Sequence, residues 1–222
     1  YRIVGENILW PQFHQDDVAA GRSNTIVHEL THIFDLVNWL TDRFPERIYA
    51  VGGKSDNHIV TLAYPDDIFV TLMSGSCGSE ADHKERMEVF TDNKVMVTNG
   101  FVELECTRIP DERDQLFPLK SHPWRSAEER VTPPEIRADL VSWRDALTEE
   151  DIAYGYYYHT RPNVAKGHAD ALEAFYQAIR NDTPIERDAV AGAAATITGL
   201  EAVRSLETGQ PVDLDFSGLT AK

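Results

Sequence analysis

The most regular hydrophobic pattern in the chain lies between Asn24 and Leu40. Ile26, Leu30, Ile33, Val37 and Leu40 recur at spacings of three and four. At about 100° per residue they form one stripe, which predicts an amphipathic helix. Ser23 or Asn24 supplies its capping oxygen, and Phe44-Pro45 ends it. The pattern then changes to alternation. Arg47–Val51, Ile59–Tyr64, Ile68–Met73, Arg86–Phe90, Lys94–Val97 and Phe101–Cys106 read as strands. Turn residues at Pro65-Asp66-Asp67, Asp92-Asn93 and Asn99-Gly100 separate neighbouring runs. Strands joined this tightly form a mainly antiparallel meander.

The flanks are less regular. Tyr1 to Ala20 reads as a strand or entry segment followed by a loop. Pro110 to Pro134 is charged, Pro-rich and without period, which predicts a long loop. A helical stretch is expected from Pro134 to Leu147, followed by the aromatic cluster Tyr154, Tyr156, Tyr157, Tyr158 and His159. Two helices close the chain. One spans about Gly167–Arg180, with Leu172, Phe175, Ala178 and Ile179 facing inward. The other, Ala-rich and so able to approach a sheet closely, spans about Arg187–Thr208. Gly209-Gln210-Pro211 stops it, and Val212–Leu214 resembles a last short strand. The sum is one α+β domain over residues 1–222, an open antiparallel sheet with helices on one face.

Charge narrows the possible partners. A net charge of −16 repels a phosphate backbone, so nucleic acid is not expected as a ligand. No run approaches the roughly 18 apolar residues of a membrane span. Cys77 and Cys106 are too few for a disulfide scaffold or a zinc knuckle. They read as buried thiols in a reducing compartment, the cytoplasm. The chain opens at Tyr1 rather than Met, and a preceding segment is expected.

The predicted helix at 24–40 carries chemistry on its second side. His28, His32, Asp35 and Trp39 gather opposite the apolar stripe. An imidazole passes protons near neutral pH, and the Asp35 carboxylate, one turn away, is suited to orient His32. His28-Glu29-Leu30-Thr31-His32 is also an H-E-x-x-H sequence, in which both histidines bind zinc and Glu29 is the base. That reading needs a third ligand. Asp35 and Asn38 stand where the extended pattern wants Gly and His, and no glutamate follows about twenty residues on. Paired acids at Asp16-Asp17 and Asp66-Asp67 read as solvated turns. The Tyr154–His159 cluster, Tyr157 included, suits either sugar stacking or an interface.

The end of the chain adds a second clue. His168-Ala169-Asp170-Ala171-Leu172 is followed by Phe175, Ala178-Ile179 and Pro184. Then come Thr196, Ala202-Val203, Ser205 and Gly209-Gln210-Pro211-Val212. Together with His32, Asp35 and Trp39-Leu40, this series resembles the C-terminal domain of the Gfo/Idh/MocA oxidoreductases. The resemblance covers about Trp10 to Leu214, with Pro110 to Tyr158 poorly matched.

That resemblance implies a preceding Rossmann domain binding NAD or NADP, a sugar, inositol or polyol substrate, and subunit contact through the free sheet face. It makes His32 the residue that moves the hydroxyl proton, together with a lysine of the Rossmann domain. It sets His14, Arg22 and Asn24 around the substrate. Two departures stand out: His28 replaces the family aspartate, and Arg22-Ser23-Asn24 replaces a run of glycines. This chain has no G-x-G-x-x-G and no Glu-Lys-Pro, so NAD(P) would be bound by the other domain. Two other classes remain open on residues alone: a zinc hydrolase through His28, Glu29 and His32, and a non-catalytic oligomerisation or binding domain.

Overall fold

The structure, a computed structural model, describes residues 2–4, 20, 24–53, 57–75, 85–101, 103–109, 115–116, 119–120, 130–131, 138, 142, 145–146, 148–150 and 167–219. The chain divides into two compact units, Tyr1–Gln15 with Ser76–His168 and Asp16–Gly75 with Ala169–Lys222.

The second unit carries the predicted helix. A π-helical turn, Ile26–Leu30, runs directly into helix α1, Thr31–Thr41. Asn24 starts it: its Oδ1 accepts from the Ile26 amide at 2.8 Å, and its carbonyl accepts from His28 N at 3.0 Å. Asp42 ends α1 in the left-handed conformation, before Pro45 is reached.

Strands β2 (Arg47–Gly52), β3 (His58–Tyr64) and β4 (Ile68–Gly75) follow as an antiparallel meander. The register Ala50↔Val60 and Val60↔Leu72 sets three buried side chains in a row across one face. Ile48 and Leu62 form a second buried pair beside it. The last strand of the chain, Val212–Asp213, pairs antiparallel with β2 (Val212↔Ile48).

The covered face meets the two helices that bracket this unit. Helix α3 (Ala189–Thr208) lies against both β2 and α1. Its buried positions are Ala191, Ala194, Ala195, Thr198, Gly199, Ala202 and Ser205, all small, so its backbone comes close. A Cβ on Gly199 would sit 3.3 Å from Thr31 Cγ2. Phe34, Ile26, Leu30, Ile48, Leu62 and Leu72 are fully buried in this core, each worth about 2 kcal/mol relative to exposure.

In the first unit, strand β1 (Arg2–Val4) pairs antiparallel with β5 (Glu85–Thr91). From there β6 (Lys94–Asn99), β7 (Glu103–Thr107) and β8 (Gln115–Leu116) continue the meander. Strands β9 (Leu119–Lys120) and β10 (Arg130–Val131) form a separate pair. The final strand of the chain, Val212–Asp213, is then β11. The architecture is α+β with open antiparallel sheets, as the alternation predicted.

Three expectations are corrected. The 110–134 stretch, read as a long loop, contains the short strands β8, β9 and β10. Two-residue strands are too short to imprint a period. The strand expected from Phe101 starts at Glu103, because Gly100 and Phe101 both turn through positive φ (57° and 58°). Helix α2 (His168–Asn181) forms where predicted, but its apolar stripe does not face a core: Leu172 is 70% exposed, and Phe175 and Ile179 are exposed as well. Periodicity identifies residues that share a face, not what the face meets. Of the helix expected at 134–147, Ala138, Ser142, Asp145 and Ala146 are helical, and the remainder lies outside the described residues.

Candidate functional site

The π turn and α1 present His28, His32, Asp35 and Trp39 away from the sheet. Both imidazoles are exposed. His28 Nε2 lies 3.8 Å from Glu29 Oε1. Among the described residues, His32 has no hydrogen-bond partner.

Asp35 was expected to orient His32, and its hydrogen bonds go elsewhere. Arg187, 152 residues away, grips it with a fork. Nε donates to Oδ2 at 3.2 Å, and Nη2 donates to Oδ1 in a short contact and to the backbone carbonyl of Asp35 at 3.3 Å. The hydrogen bonds it donates to Asp35 raise the pKa of the Arg187 guanidinium above its ordinary value. The neighbouring residue repeats the link, since Trp39 Nε1 donates to Glu186 Oε1 at 3.0 Å. Asp188 then caps α3, accepting from the amides of Val190 and Ala191 at 2.9 and 3.0 Å.

A second polar cluster supports the helix from below. His58 is buried, with Nδ1 3.0 Å from Thr25 Oγ1 and Nε2 2.9 Å from the Gly53 carbonyl. A carbonyl only accepts, so Nε2 carries a proton and donates to Gly53. The contact with Thr25 ties β3 to the residue preceding the π turn. Tyr64 donates its hydroxyl to Asn38 Oδ1 at 2.9 Å, and burial raises the pKa of this phenol well above its ordinary value.

Arg22, His14 and Tyr157 lie outside the described residues, as does Cys77. Asn24 is half-buried at the head of the π turn, acting as its cap. No group of three His, Cys, Asp or Glu side chains suited to a metal ion occurs among the described residues, so His28 and His32 gain no third ligand there. Within each unit the strand pairings described above are antiparallel. A dinucleotide sits at the crevice of a parallel βαβ unit, so these residues do not fit NAD or NADP by themselves. No helix among the described residues is long and apolar enough to cross a membrane.

Sequence reasoning missed Arg187, Glu186 and the His58–Thr25 link. Arg187 and Glu186 stood at the start of a predicted helix, and no local signal pairs them with a helix so distant in sequence. His58 stood just before a predicted strand, where a buried imidazole and an exposed one look alike.

No protein-family model matches the sequence, and no curated protein sequence does. Solved structures do match. A probable dehydrogenase from Thermotoga maritima aligns over 99% of this chain and 55% of its own, at 14% identity and TM-score 0.55. The UDP-N-acetylglucosamine 3-dehydrogenase of Acidithiobacillus ferrooxidans aligns over 93% and 52%, at 18% identity and TM-score 0.58. The scyllo-inositol dehydrogenase of Lactobacillus casei, solved with NAD(H) and scyllo-inositol, aligns over 96% and 54%, at 13% identity and TM-score 0.52. The chain spans about half the length of these proteins. At such identities the likeness is one of fold: the chain shares the fold of about half of each of these dehydrogenases.

Proposed function

We propose that this chain is the substrate-side domain of an NAD(P)-dependent oxidoreductase acting on a hydroxyl or carbonyl of a sugar, inositol or related polyol. The observation that carries the reading is His32. Among the described residues it stands exposed and without a hydrogen-bond partner on α1, in a fold shared with sugar and inositol dehydrogenases. NAD or NADP, held by a separate Rossmann domain, supplies the hydride chemistry. His32 takes or returns the hydroxyl proton, a role that an imidazole can fill. His28 borders the same site and shapes the substrate, and Asp35, one turn beyond His32, completes the face. Asn24, Arg22, His14 and Tyr157 are the proposed substrate contacts around it.

The free face of the β2–β4 sheet, where Tyr49, Val51, Ile59, Phe69 and Met73 are exposed, makes the contact between subunits. We place the protein in the cytoplasm.

The test is an oxidation assay with NAD or NADP and a panel of inositols and hexoses, using the chain joined to its cofactor domain. His32→Ala should lower kcat by about a hundredfold or more. Glu29→Ala should leave kcat near wild type, which a zinc hydrolase would not tolerate. Turnover unchanged by His32→Ala would sink the proposal.

A further inference from the structure

The segment that leads into α3 binds the catalytic face of α1 through consecutive residues. Glu186 accepts from Trp39, Arg187 grips Asp35, and Asp188 caps α3. Arg187 is thus fixed on both sides by neighbours with commitments of their own. An isolated exposed ion pair is worth little. A forked guanidinium–carboxylate contact on a fixed backbone is the stronger kind.

Asp35 lies three residues beyond His32, the spacing at which helix side chains meet. Left alone, its carboxylate would pair with the imidazole and occupy a ring nitrogen. We infer that Arg187 is a positioning residue: by holding both oxygens of Asp35 it keeps that carboxylate off His32, so the imidazole stays open to a substrate hydroxyl. Its importance for catalysis rests on the proposed function, but its test does not.

Few other charges compete at this point. On the helix itself His28 and Glu29 lie 3.8 Å from each other. The half of α3 that packs here, residues 189–200, carries no charged side chain, and the next charges are the paired Glu201 and Arg204. Glu186 and Asp188 complete the set on the leading segment.

The experiment is an NMR titration of the His32 ring in the wild-type chain, Arg187→Gln, and Arg187→Gln with Asp35→Asn. Releasing Asp35 should raise the His32 midpoint by about half a pH unit or more, since a nearby opposite charge favours the imidazolium. The double variant should return it to the wild-type value. A merely structural loss would not be reversed by Asp35→Asn. An unmoved midpoint in Arg187→Gln, or a shift that survives in the double variant, overturns the inference. Should Arg187→Gln fail to fold, Arg187→Lys is read instead: it keeps the charge but not the fork. A smaller upward shift supports the inference, and none overturns it. If the titration behaves as expected while His32→Ala leaves turnover intact, the dehydrogenase reading fails and the role of Arg187 stands.

Discussion

At Gly52 the backbone itself excludes any other residue. Its φ is +148°, and a Cβ there would lie 2.2 Å from the Asn57 carbonyl oxygen and 2.8 Å from His58 Cα. Neither atom can retreat: the Asn57 carbonyl accepts from Gly53 N at 3.2 Å, and His58 is locked by both ring nitrogens. Gly52→Ala is therefore expected to cost about 2 kcal/mol or more, read as a lower urea midpoint. Asn38 offers a different kind of test. Its Oδ1 accepts from Tyr64, while its buried Nδ2 has no partner. Asn38→Leu alone strands the Tyr64 hydroxyl and should cost about 1–3 kcal/mol. Adding Tyr64→Phe removes both polar groups, and stability should return to the wild-type level or above it. A double variant no more stable than Asn38→Leu would mean that the pair contributes more than its orphan donor costs. Neither site was legible beforehand. Gly52 follows the predicted strand Arg47–Val51 with no signal of its backbone angle, and Asn38 drew notice only as a position where a zinc ligand was missing.

Helices and strands were the legible level, for a physical reason: burial of one face writes its period into the sequence. Of the stripe, Ile26, Leu30, Ile33 and Val37 are buried as the wheel required while Leu40, in the last turn, is 49% exposed, and the alternation of β3 returns as buried His58, Val60, Leu62 and Tyr64. The π turn at Ile26–Leu30 was not legible, because one extra residue leaves the stripe nearly intact. The uncovered face of α2 was not legible either, because an amphipathic pattern is the same whether or not a partner covers it. Contacts between elements were the most hidden. Ser205 accepts from Ala50 N at 3.0 Å and donates to the Gln210 carbonyl at 2.6 Å, so one buried hydroxyl joins α3 to β2 and to the turn after the helix. Ser205→Ala should cost about 1–3 kcal/mol, measured by chemical denaturation, whereas Thr208→Ala at the exposed end of the same helix should cost much less. At the sheet edge, Arg47 donates to Asp213 at 2.6 Å, and this hydrogen bond lowers the carboxyl pKa. The folded value lies below the unfolded one, so the contribution is complete above about pH 4 and is lost as the pH falls through the folded value. Asp213→Asn should flatten that acid limb of the stability profile by removing the modest surface contribution at pH 7, so that the variant and the wild type converge at low pH. An acid limb as steep as the wild type's would sink the assignment.

The scale of the whole molecule returns to the surfaces that this chain leaves open. The covered face of the β2–β4 sheet is sealed by α1 and α3. Its other face exposes Tyr49, Val51, Ile59, Phe69 and Met73, with Phe69 at 71%. An antiparallel sheet tolerates one wet face when that face is polar. Val51, Ile59 and Met73 form one row across the three strands, and exposed apolar groups gathered in this way mark an interface. Ile59 and Met73 are cross-strand partners on that face. Ile59→Lys with Met73→Glu replaces an apolar pair by opposite charges within the row, leaving the net charge of −16 unchanged. Cross-strand charge pairs support a sheet, and the replaced side chains were already exposed, so unfolding free energy should move by less than about 0.5 kcal/mol. Assembly should respond strongly. Light scattering should give a multiple of the chain mass for the wild type and a single chain mass for the double variant. A wild-type chain that is monomeric at high concentration would exclude this face as a self-contact. Turnover measured on the same pair separates the two surfaces: an oligomer face behind the sheet should affect assembly, whereas the His32 face across the helix layer should affect chemistry.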